Sequence, residues 1–145
     1  MQLCVDAALP KEFGGVGGSS CYIDSEGSFS PERCWDMAEA LVNHVTNSAR
    51  NSAQRRPSSR VKVVPKNFSS DSILDSIHVF RCHDETSQTA TIKALPGFLD
   101  KNEESGNPIK VLVVDSIAFH YRVSFVKYLS MAIECILAPF IKAPF

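Results

Sequence analysis

Cys21–Arg33, CYIDSEGSFSPER, is the stretch whose reading decides the fold. Cys21, Tyr22 and Ile23 are strand formers, and Asp24, Ser25, Glu26 and Gly27 end the strand. Ser30 and Pro31 then open a helix, serine as a favoured N-cap and proline at the first helical position. Open α/β sheets place their chemistry just beyond the carboxyl ends of their strands, where a chain leaves a strand for a helix. Ile109–Asp115, IKVLVVD, is a second strand ending in an acid. It is apolar almost throughout, as expected when both faces of a parallel sheet are covered. Glu26 and Asp115 are therefore read as two acids delivered to one sheet edge.

Working outward, the segments alternate strand, helix, strand, helix, strand, which predicts an α/β fold: a parallel sheet with helices on both faces. Met1–Leu9 reads as the last turns of a helix stopped by Pro10, with no N-cap before it, so the expectation is a chain that starts inside a fold. Phe13–Ser20, FGGVGGSS, is a glycine-rich turn. A phosphate loop needs G-x-x-x-x-G-K-[ST] opening a helix. No Gly-Lys pair occurs in the sequence and this turn precedes a strand, so it reads as a connector. The helix after Ser30 is predicted to run to Asn47, with Cys34, Ala38, Leu41 and Val45 as its inner stripe and Trp35 partly buried on the flank.

From Thr46 to Ser70 the chain is rich in Ser, Asn and Arg and predicts a loosely ordered insertion. Arg50, Arg55, Arg56, Arg60, Lys62 and Lys66 make it basic. A phosphate-backbone contact is one reading, and a solvated loop without interleaved aromatics is the plainer one. Asp71–Ser76 is a short helix or turn, and Ile77–Cys82 a strand on which His78 is expected to face away from the core. His83 and Asp84 end that strand with no second ligand near them. Glu85–Asn102 is helical, with Ile92, Leu95 and Leu99 inward and a kink at Pro96. Val123–Phe145 is strongly apolar but interrupted by Lys127, Glu134 and Pro139, so a docked helix or apolar tail is favoured over a membrane span.

The totals narrow the function. A net charge of −1 over 145 residues gives no global basic field for nucleic acid or membrane. Five cysteines, an odd count without a C-x-x-C pair, point to reduced thiols in cytosol or nucleus and not to a disulfide framework or zinc site. The start of the chain lacks the pattern of a signal peptide.

On these residues the sequence resembles a known family. YIDSEGSFSPER is similar to the Y-I-D-T-E-G-x-F-x-x-x-R segment of RecA/RadA-type recombinases and their eukaryotic strand-exchange paralogues, the C-type paralogues above all. LCVDAALPKEFGGVGG resembles the helix end and turn that follow the family's phosphate loop. DSILDSIHVFRCHD resembles its short helix and third strand, and VLVVDSIAFHYR its Walker B strand and exit. The likeness covers Gln2 to about Arg122, with Thr46–Lys66 poorly matched. It implies a partial RecA-like P-loop NTPase core over residues 1–122, carrying a flexible basic insertion at 46–70 and followed by a divergent apolar tail at 123–145. It implies ATP and Mg²⁺ as cofactors, homologous recombination and double-strand break repair as the process, a nuclear location, and sister recombinase paralogues and DNA as partners. Residue by residue it makes Glu26 the catalytic acid that activates water. It makes Asp115 the Walker B acid that binds the cofactor and holds Mg²⁺ through water, with Ser116 beside it. The family's phosphate loop would lie just before Met1 and its DNA-binding loops after Arg122, so the expectation is a fragment or isoform that is inactive alone. The alternatives are a non-catalytic module binding recombinase paralogues and an unrelated α/β domain.

Overall fold

The computed structural model describes residues 1–55 and 63–122, without the side chains of 53–55. Its centre is β1 (Ser19–Asp24), flanked by β2 (Ile77–Arg81) and β3 (Ile109–Asp115) in a parallel sheet of order β2-β1-β3. Cys21 lies opposite His78 and Leu112, and Asp24 opposite Arg81 and Asp115. Parallel neighbours need long crossovers, and helices supply them. After α1 (Gln2–Asp6) and a 3₁₀ turn at Lys11–Phe13, the chain runs through β1, α2 (Pro31–Arg55), α3 (Ser70–Asp75), β2, α4 (Glu85–Glu104) and β3.

All six residues of β1 are buried, because helices cover both of its faces. On one face Val5, Cys34, Ala38 and Ile73 form a cluster shared by α1, α2 and α3, with Phe29, Leu41 and Ile77 against it. On the other, Cys21, Ile23, Cys82 and Leu95 pack under α4 with Phe80, Ile92, Phe98 and Val114. The expected sheet with helices on both faces is therefore present. Cys4, Cys21, Cys34 and Cys82 are buried free thiols, in line with the reduced reading. Burial pushes the Cys21 thiol up to about 11 and raises those of Cys4 and Cys34.

Three expectations change. The connector is shorter than read, since Ser19 and Ser20 already belong to β1. The helix after Ser30 does not stop at Asn47: α2 continues to Arg55, so the first part of the supposed loose insertion is helix. Lys66 and Asn67 form a turn closed by Phe68 N–H on Pro65 O before Ser69 caps α3, and the basic residues Arg56, Arg60 and Lys62 lie outside the described residues. His78 does not face away from the core: its ring meets Phe98 of α4 edge-on at 5.2 Å. The face opposite Ile77 and Val79 is the one α4 covers, not solvent. Trp35 is 41% exposed on the flank of α2. The apolar stretch 123–145 lies outside the described residues, and among those described no helix is long and apolar enough to cross a membrane.

Candidate functional site

The carboxyl ends of the three strands meet at one edge, and Asp24 organises it. The residue is buried, only 2% exposed. Its Oδ1 accepts from the backbone N–H groups of Gly27 (2.8 Å) and Ser28 (3.1 Å), and its Oδ2 from that of Phe29 (3.3 Å). Arg81, at the end of β2, donates from Nη1 to Oδ2 at 2.6 Å. Burial alone would push the Asp24 carboxyl up, but the guanidinium and the three amides outweigh it and hold the carboxyl below its usual value. An aspartate bonding the amides that follow it makes an Asx-type turn. The turn passes through Gly27 at φ +81°, a conformation that favours glycine. A Cβ on Gly27 would collide with the guanidinium of Arg81. Glu26 sits on this turn, exposed and without a hydrogen bond or ion pair among the described residues.

Asp115 ends β3 directly beside Asp24. The hydroxyl of Tyr22 donates to its Oδ2, and Ser28 Oγ donates to the same oxygen at 3.1 Å. Burial first, and then this bond to the carboxylate, raise the Tyr22 phenol to about 12, so it stays protonated and donating. Asp115 Oδ1 has no partner among the described residues. The backbones are tied as well: Ser25 N–H donates to Asp115 O at 2.8 Å, and Ser25 Oγ to Ser116 O at 2.7 Å. The peptide between Asp115 and Ser116 is cis. From α4, the fully buried Gln88 donates through Nε2 to Ser116 O at 3.4 Å and Ile117 O at 3.1 Å. Ser116 Oγ is buried and has no partner.

The structure thus brings Glu26, Asp115 and Ser116 to one edge. His83 is exposed, and Asp84 caps α4 in a reciprocal box with Ser87, so neither joins the site. Among the described residues no group of three His, Cys, Asp or Glu side chains could hold a metal ion by direct ligation. Asp115, whose Oδ1 has no partner among the described residues, is a carboxylate of the kind that would hold a hydrated magnesium ion through water. The donor set does not include a phosphate cradle, since the sequence has no G-x-x-x-x-G-K-[ST]. Tyr22, Asp24, Ser28, Arg81 and Gln88 were not singled out by the sequence. Asp24 carries a local signal, an aspartate three residues before a glycine. Arg81 and Gln88 are found only through strand register and helix packing.

Comparison with known proteins shows what the chain is similar to. The Rad51 family model matches residues 1–57. The chain is 34% identical over 122 residues to DNA repair protein RAD51 homolog 3 of Cricetulus griseus, covering 84% of this chain and 31% of that protein. It is 35% identical over 124 residues to the protein of the same name in Dictyostelium discoideum, covering 86% and 30%. It is 32% identical over 136 residues to DNA repair and recombination protein RadA of Haloquadratum walsbyi, covering 90% and 38%. The chain spans about a third of the length of these curated relatives.

Proposed function

This chain belongs to the RecA/RadA-type recombinase family and is similar to its RAD51C-type paralogues, and from that premise we propose that its acid edge is the hydrolytic side of an ATP site used in DNA repair by homologous recombination. The observation that carries this reading is the parallel pairing of Asp24 with Asp115, which sets the Glu26 turn against the end of β3. The unrelated α/β domain is thereby set aside.

ATP with magnesium, when bound, supplies the phosphoryl group and the cation that neutralises developing charge. The chain's own residues supply position and proton transfer. Asp115 holds the hydrated ion. Tyr22 and Ser28 fix its Oδ2 and so orient the carboxylate. Glu26 accepts a hydrogen bond from the attacking water and takes its proton. Its exposed carboxylate has no competing partner among the described residues. Residues 1–122 act as part of the ATPase core, the process is nuclear, and sister paralogues and DNA are the partners of the whole protein.

Binding of a fluorescent ATP analogue to the full chain, with and without Mg²⁺, tests the site. Magnesium-dependent binding that disappears in Asp115→Ala is the expected result. Glu26→Gln should retain binding and, in an assembly that supplies the phosphate loop, lower turnover by about 10²–10⁴-fold, the usual contribution of a general base. Binding that ignores both magnesium and Asp115→Ala would sink the reading. The interaction-module reading is favoured by one observation, the outer edge of β2, unpaired among the described residues. Co-purification of a paralogue without any nucleotide binding would favour it.

A further inference from the structure

We propose that Arg81 is a positioning residue: by pairing with buried Asp24 and lying against the Cα of Gly27, it holds the 25–29 turn in the shape that presents Glu26 at the sheet edge. The inference rests on the reading of Glu26 as the residue that acts there, and concerns what puts it there.

The ends of the turn have other ties, since Ser28 Oγ donates to Asp115 Oδ2 and Phe29 packs against Tyr22 and the core, but its middle does not. Ser25 is buried and anchored to β3 through its N–H and hydroxyl, but Glu26, Gly27 and Ser28 are exposed. The backbone amides of Gly27, Ser28 and Phe29 converge on one carboxylate, so the turn is as fixed as Asp24 is. Oδ2 of Asp24, which accepts from the Phe29 amide, also looks toward β2. There Arg81 Nη1 meets it at 2.6 Å. The guanidinium also occupies the space where any side chain at position 27 would begin. One cation therefore fills two roles: it neutralises the buried carboxylate and closes over the tightest point of the turn. The pair is lopsided in exposure, with the Asp24 side chain 4% and the Arg81 side chain 44% accessible. Arg81 can leave toward solvent, whereas Asp24 cannot. If it leaves, an uncompensated buried charge shares three amides with nothing opposite it, and the turn loosens. Arg81 also belongs to β2, the strand on the far side of β1 from Asp115. A shift of β2 would therefore reach Glu26 without passing through β3.

Amide hydrogen exchange by NMR on the full chain, without nucleotide, tests this. In Arg81→Gln the amides of Gly27, Ser28 and Phe29 should exchange roughly tenfold faster or more, while those of β1 and β3 stay within about twofold of wild type. Arg81→Lys, which keeps the charge without the planar fork, should recover part of the protection. The Asp24 carboxyl ¹³C resonance should titrate at higher pH in Arg81→Gln than in wild type. Arg81 from β2 faces it directly, Tyr22 from β1 and, by strand register, Asp115 from β3 stand beside it, and Glu26 follows two residues on along the turn. Unchanged exchange at residues 27–29 overturns the proposal. So does faster exchange spread evenly through β1 and β3, which would make the pair a strut of the whole sheet, and so does failure of Arg81→Lys to recover any protection. Because no nucleotide is present, hydrolysis left unchanged by Glu26→Gln in an assembly that supplies the phosphate loop would overturn the role of Glu26 and leave this result standing.

Discussion

Replacing Asp24 with asparagine keeps the shape of the side chain and removes its charge. With the asparagine oxygen toward Gly27 and Ser28, those amides face a weaker acceptor, the Phe29 amide and Arg81 face an NH₂ donor, and Arg81 loses its counter-ion. Hydrogen bonds to a charged group are each worth about 1.5–3 kcal/mol, so Asp24→Asn should destabilise by at least that much in urea unfolding at neutral pH. The same carboxylate sets a pH dependence. Its folded-state pKa lies below the unfolded value, so its stabilisation is complete above the ordinary carboxylate range and is lost as pH falls through the depressed folded value. The gap between wild type and Asp24→Asn should therefore close on acidification, and a gap that stays constant between neutral and strongly acid pH would count against this. Gly27→Ala should cost about 1–2 kcal/mol from the left-handed backbone alone, with displacement of Arg81 on top. At this scale the acids were legible in the sequence, because Asp115 ends an apolar run and Glu26 stands two residues beyond the strand that stops at Asp24. What holds them was not. Tyr22 reads as an ordinary strand residue until strand pairing brings its hydroxyl to Asp115, and Arg81 stands 57 positions from its partner.

Ser30 was expected to cap α2, and its Oγ accepts from Arg33 N–H at 3.2 Å while its carbonyl accepts from Cys34 N–H at 3.1 Å. Ser30→Ala should remove about 1 kcal/mol, read as a lower urea midpoint with an unchanged slope. Pro96 lies inside α4 and is exposed. It can donate no backbone bond there, so Pro96→Ala should raise the unfolding midpoint; a lower midpoint would mean that packing depends on the proline ring. The strands were readable because β-branched and aromatic runs stop at Asp24, Arg81 and Asp115. The end of α2 was not, because polar, Ser- and Asn-rich sequence looks like loop. In α2 those hydroxyls bond back along the helix instead: Thr46 Oγ1 donates to Val42 O at 2.8 Å and Ser52 Oγ to Ser48 O at 2.7 Å. His78 was misplaced for a different reason. Alternation gives the two faces of a strand correctly but does not say that both are covered, and Phe98 of α4 covers the second.

Taken as a whole, the described molecule is a three-stranded sheet in which only β1 is paired on both sides. Among the described residues the outer edges of β2 and β3 carry unpaired backbone groups. Val79 on β2 is 41% exposed and Leu112 on β3 45%. Ile117, just beyond β3, is 61% exposed. A near-neutral net charge of −1 adds no repulsion between copies. Unpaired edges with apolar side chains are templates for further pairing, and charged side chains on an edge suppress it. The full chain should therefore associate as its concentration rises, with the weight-average mass in sedimentation equilibrium climbing above that of the monomer. Leu112→Lys places a charge on the β3 edge and should move the chain back toward monomer. Val79→Lys does the same on the β2 edge, so whichever substitution has the larger effect identifies the edge that pairs. Leu112 and Val79 are exposed in the folded chain, so neither change removes a buried core contact, and unfolding midpoints should shift far less than the association does. A chain that is monomeric throughout, and indifferent to both substitutions, would mean that these edges are already covered.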